Sequence, residues 1–171
     1  MTIPPLNVLV ADDVHAVGVW GNAFIQIWRG DTNEFACQEV NRLARKMVAA
    51  GVRTSLFIVE PTSSPPRDEV RKLIAEFSKD IVSRMSLAVV VAEGGGFRSA
   101  LVRGVGITLT RFLPHRSTFQ FVNNIETGAR LLAPHLPPKY GGQSQLLALV
   151  EELRGRIGTH PRPSLHVAAK L

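Results

Sequence analysis

The feature that most constrains this chain is the six-residue run Leu87–Ala92, LAVVVA, which contains no polar residue. It is too short to span a membrane and is bounded by helical patterns, as expected for the central strand of a sheet. Other segments arrange themselves around it. Asn7–Ala11 reads as a strand. Residues 14–20 alternate, with apolar residues on both faces. Gly21-Asn22 suits a tight hairpin, and Ala23–Trp28 is the return strand, with Phe24, Gln26 and Trp28 on one face. Residues 55–59 form a further short buried strand, and 118–122 carry Phe119 and Phe121 on one face.

Helical periodicity fills the gaps. Asp31 and Glu34 have capping-box spacing, Ala36, Val40, Leu43, Met47 and Val48 follow at helical intervals, and Gly51 stands where a terminating glycine belongs. The run Thr62-Ser63-Ser64-Pro65-Pro66 precedes a stripe of Val70, Leu73, Ile74, Phe77 and Ile81. A third helix is predicted over about 97–113, stopped by Pro114, and a short one is capped by Asn124. Residues 134–142 read as a Pro/Gly linker. Residues 143–158 read as an amphipathic helix with Leu146, Leu149, Val150, Leu153 and Ile157 in one arc, and 159–171 as a flexible basic tail. The prediction is an α/β fold: a mixed sheet of about five to six strands with helices mainly on one face, plus the extra C-terminal helix. Residues 1–133 form the domain proper.

Charge is unevenly placed. The net charge is +6, yet residues 1–93 hold ten basic and eleven acidic side chains. Residues 94–125 carry Arg98, Arg103, Arg111 and Arg116 with no acid, and 153–171 carry Arg154, Arg156, Arg162 and Lys170 with no acid. Such segments attract phosphates or acidic partners over about 8–10 Å, or simply confer solubility. Binding of nucleic acid or another acidic partner through the tail is a weak alternative, and the basic arc of the predicted third helix lacks the aromatics that a nucleic-acid surface interleaves. The single cysteine, Cys37, rules out an internal disulfide. The start of the chain lacks a signal-peptide pattern, and a cytoplasmic location is expected.

The order of elements resembles the STAS (SpoIIAA-like) family over about residues 6–133. FIQIWRGDTNEF is a strand followed by a capped helix, and SLFIVEPTSSPPRDEVRKLI is strand, hydroxyl-rich loop and helix. SLAVVVAEGGGFRSALVRG and STFQFVNNIETGARLL complete the pattern. The resemblance implies a bacterial, non-catalytic regulatory domain that acts by protein–protein contact and self-association, with no cofactor. Some members bind nucleotides or lipids, so a small-ligand or anion sensor is the alternative. Switchable members carry a phosphorylatable serine where the second helix begins. Ser63 and Ser64 occupy that loop here, without the family's acidic residue and glycine, and either switching or helix capping would use them.

Candidate sites follow. Gly94, Gly95 and Gly96 with Arg98 could cradle a phosphate at a helix start, or merely turn strand into helix. Arg103, Ile107 and Arg111 share the outer arc of the third helix and suit a protein contact. Leu146, Val150 and Leu153 need a surface, either the chain's own domain or a partner. Trp20 and Trp28 would anchor an interface if they lay on a helix-free face of the sheet. The five histidines lack metal-ligand spacing, and no local signature of a nucleophile with its base is present, so neither a metal site nor catalysis is expected.

Overall fold

Gly21 has φ +63° and turns the chain in two residues, so that Trp20 faces Ala23 across a tight hairpin. That hairpin seeds the fold seen in the computed structural model, which describes residues 4–95 and 119–159. Three strands form an antiparallel meander: β1 (Asn7–Ala11), β2 (His15–Trp20) and β3 (Ala23–Trp28). The rest run parallel to β3: β4 (Thr54–Val59), β5 (Leu87–Ala92) and β6 (Phe119–Val122). Strand order in the sheet follows the sequence from β1 to β6. The α/β class and the mixed six-stranded sheet match the expectation.

Helix α1 (Glu34–Ala49) is capped by Asn33, whose Oδ1 accepts the Ala36 amide at 2.8 Å. The predicted box at Asp31 is therefore displaced by two residues, because Asn33 alone is spaced to reach that amide. Gly51, at φ +104°, ends the helix as expected; Val52 N–H reaches back to Met47 O at 3.0 Å, the hydrogen bond of a Schellman turn. Helix α2 (Asp68–Asp80) starts later than Ser64 predicts. Its cap residue is Arg67, and no side chain caps it. Pro65 and Pro66 hold the residues before them extended, which postpones the first turn to Asp68 and Glu69.

Helices α3 (Ile125–Leu132) and α4 (Gln143–Arg154) complete the described helices. As predicted, Asn124 caps α3, accepting the Thr127 amide at 2.8 Å. Four described helices divide two and two between the faces of the sheet, a more even covering than the sequence suggests. Helices α1 and α2 pack over Val17, Phe24, Trp28 and Ala88, while α3 and α4 pack over Ile25, Ile27, Leu56, Ile58, Val89 and Val91. The reason is that β3, β4 and β5 are apolar on both faces, and either face left open would expose a contiguous apolar patch.

Residues 134–142, predicted as a linker, pack onto the domain. Leu136 is buried, Asn22 Nδ2 donates to His135 O at 3.0 Å, and Tyr140 meets the edge of Trp20 at 5.0 Å. Helix α4 folds back onto β2 and β3. Among the described residues no helix is long and apolar enough to cross a membrane.

Candidate functional site

The sheet face beneath α1 and α2 is built from aligned rows. One runs Val17, Gln26, Phe57, Val90, Phe121 across five strands; its neighbour runs Val19, Phe24, Ser55, Ala88, Phe119. Gln26, Phe57, Val90 and Phe121 of the first row and Ser55, Ala88 and Phe119 of the second form the floor of a cavity of about 110 Å³. Its walls include Cys37, Val40 and Asn41 from α1 and Ile74, Phe77 and Ser78 from α2. Surfaces around it are overwhelmingly apolar, and no charged side chain lines it among the described residues.

Polar groups are few but deeply placed. Gln26, Asn41, Ser55, Ser63 and Ser78 are all buried. Asn41 Nδ2 donates to Leu73 O at 3.3 Å, tying α1 to α2. Ser63 Oγ donates to Trp28 O at 2.8 Å. Trp28 is held on one side by His15, whose ring stacks at 4.7 Å and 12°. His15 Nδ1 in turn lies 2.9 Å from Asp12 Oδ2, out of line for a hydrogen bond but close enough for charge attraction when the imidazole is protonated. Burial pushes the Cys37 thiol up to about 11, so it is protonated at neutral pH and a poor nucleophile.

One end of the cavity is lined by Trp28, Thr32, Ser63, Ser64 and Pro66, at and just beyond the carboxyl ends of β3 and β4, the edge where α/β sheets commonly place ligands. Thr32 and Ser64 line both the cavity and an adjoining polar cleft of about 600 Å³ between the starts of α1 and α2. Behind this lip stands a row of charges, one from the residue that follows each of β3, β4 and β5. Arg29 grips Glu60 through Nε at 2.7 Å and Nη2 at 3.2 Å. Arg154, from the end of α4, places Nε 3.2 Å from Glu60 Oε1 and donates from Nη2 to Glu93 Oε1 at 2.9 Å. Partial burial works against the Arg154 charge, but the hydrogen bond and charge of Glu93, helped by Glu151 and Glu60, more than offset it and raise its pKa. The row is thus a latch that fastens α4 across the sheet edge.

The sites proposed from sequence fare unevenly. Ser63 is buried and committed to Trp28 O, whereas Ser64 sits on the lip and does not cap α2. Gly94 has φ +88°, a conformation that favours glycine in the turn out of β5. Gly96, Arg98, Arg103, Ile107 and Arg111 lie outside the described residues, as does the third predicted helix. Leu146, Val150 and Leu153 have no exposed surface; they fill the domain's own core under α4 and so do not form a partner surface. Trp20 and Trp28 are buried on opposite faces, each under helices, and are not interface anchors.

What sequence reading missed is the cavity and its polar set, above all Gln26. The available signal was a glutamine in FIQIW, a strand otherwise apolar on both faces. Among the described residues no cluster of three His, Cys, Asp or Glu is placed to hold a metal ion. Comparison with protein-family models, with curated proteins and with solved structures finds no match to this chain.

Proposed function

We propose that this chain is a non-catalytic regulatory domain of the cytoplasm that works by binding, and that its ligand is a small, largely apolar molecule held between α1, α2 and the sheet. The observation that carries this reading is the apolar cavity itself, which shares Thr32 and Ser64 with the cleft between the starts of α1 and α2. Its volume of about 110 Å³ is below the roughly 150 Å³ at which an apolar cavity takes benzene, so it suits one small ring whose substituent reaches into the adjoining cleft. The chemistry nearby supports binding over turnover: the Cys37 thiol is held protonated, and Arg29, Glu60, Glu93 and Arg154 are engaged with one another. Grouping with STAS-like domains remains part of the proposal, on strand–helix order alone.

Recognition of a protein partner is less well supported, since the arc of α4 once available for it is spent on the domain's own core. Ligand-observed NMR and thermal denaturation with a panel of small neutral aromatic and aliphatic compounds test the proposal. Binding should raise the melting temperature, with a stabilisation of about 2.7 kcal/mol at a hundredfold excess over Kd. Ala88→Leu, which fills the floor, should abolish it. Failure of every compound to bind the wild-type chain at millimolar concentration would refute the reading.

A further inference from the structure

Gln26 projects from the middle of β3 into the floor of this cavity and is almost fully buried, yet half of its amide has nothing to bond among the described residues. Its Oε1 accepts the indole N–H of Trp28 at 3.1 Å. An indole nitrogen only donates, so this contact decides which end of the amide is oxygen. Rotating the amide would set two N–H groups against each other. Trp28 cannot swing away to relieve this, because it is buried and stacked on His15. Nε2 is therefore a donor of fixed position, and no acceptor among the described residues takes its hydrogens.

Resting on the reading that the cavity holds a ligand, we propose that Gln26 sets its specificity: the bound molecule is neutral, mainly apolar, and presents one hydrogen-bond acceptor, a carbonyl oxygen or its equivalent, to Nε2. Neutrality follows from the lining, which offers neither cation nor carboxylate among the described residues. An anion would be stripped of water with no compensating charge, and an ammonium would meet a donor. A hydroxyl or carbonyl on an otherwise apolar body satisfies the buried amide and loses little on leaving water. Trp28 and His15 are positioning residues, holding the amide in its donor orientation.

Two compounds of nearly equal shape test this: acetophenone and α-methylstyrene, in which a methylene replaces the carbonyl oxygen. Affinities of both are measured for the wild-type chain and for Gln26→Met, which keeps the bulk and removes the donor. Comparing the ratio of affinities between proteins cancels the difference in aqueous solubility. The ratio should shift by about tenfold against the ketone in Gln26→Met. The Nε2 protons of wild-type Gln26 should also move downfield with acetophenone and not with the alkene, a readout independent of whether the variant folds. Binding of both compounds with an unchanged ratio and no proton shift overturns the role of Gln26 while leaving the cavity a binding site. Failure of both to bind the wild type overturns the cavity reading and this inference with it.

Discussion

The two faces of the sheet share the same strands and differ in what those strands send to each side. Beneath α3 and α4, Ile25, Ile27, Leu56, Ile58, Val89 and Val91 meet Leu132, Leu146, Val150 and Leu153, an apolar layer closed by side chains from both sides. Gly128 shows how tight the closure is, since a β-carbon there would stand 2.7 Å from a Val91 methyl. Beneath α1 and α2 the same strands present Gln26, Ser55 and Ala88, small or polar residues that cannot fill the space to the helices, and a cavity remains. Hydrophobicity alone does not separate the faces. Side-chain volume and hydrogen-bonding capacity do, and they leave one face as scaffold and the other as site.

Val90 and Val91 are neighbours on β5 that point to opposite faces, so the pair can break the comparison. Val91→Ala should cost about 2–3 kcal/mol in denaturant unfolding, while Val90→Ala, already beside empty space, should cost about 1 kcal/mol. Equal losses would mean that the faces are equally packed. The latch fastens α4 to the ends of β4 and β5, and Arg154→Met should cost about 2 kcal/mol, because Glu60 and Glu93 are left without their shared cation at a mostly buried edge. A loss under half that figure would reduce the latch to a surface ion pair.

Smaller effects concern titration. With its pKa pushed from 9.0 to about 11, Cys37 should alkylate about a hundredfold more slowly than a free cysteine at pH 8, and ordinarily once the chain is unfolded. The same shift means that stability is intact below about pH 9 and falls as pH rises toward about 11, since only the unfolded thiol ionises in that window. A compound in the cavity should slow alkylation further; protection absent at saturation would place the thiol away from the ligand. The slightest effect belongs to Asp80, whose carboxyl is held below its ordinary pKa by the Arg45 hydrogen bond, with help from the charge of Arg84. Its contribution is present above the ordinary carboxylate range and lost as pH falls through the lowered pKa. Asp80→Asn should flatten the acid limb of the stability profile only a little, because the group is solvent-exposed.

Local chemistry made much of this fold legible. LAVVVA could be little else than a central strand, Gly21-Asn22 had to turn a hairpin, Gly51 ends α1 because it lacks a β-carbon, and Asn124 opens α3 because its side chain caps it. Legibility failed where two local candidates competed or where a distant residue settled the choice. Asn33 outcompetes Asp31 as a cap because only it reaches the Ala36 amide. Ser63 turns inward to Trp28 O because β3 ends beside it, and nothing within the hydroxyl-rich loop announces that partner. The leucine arc of α4 was plain from its period, but the apolar second face that receives it emerged only when β3, β4 and β5 stood side by side.

The amino-acid sequence by itself determined the strands, the hairpin, the described helices and the helix ends at Gly51 and Asn124, because propensity, periodicity and turn chemistry act within a few residues. Only the tertiary structure decided the site. A cavity is a deficit of volume among segments far apart in the chain, and the donor orientation of Gln26 is fixed by an indole that can only donate. Neither property belongs to a residue until its neighbours are in place.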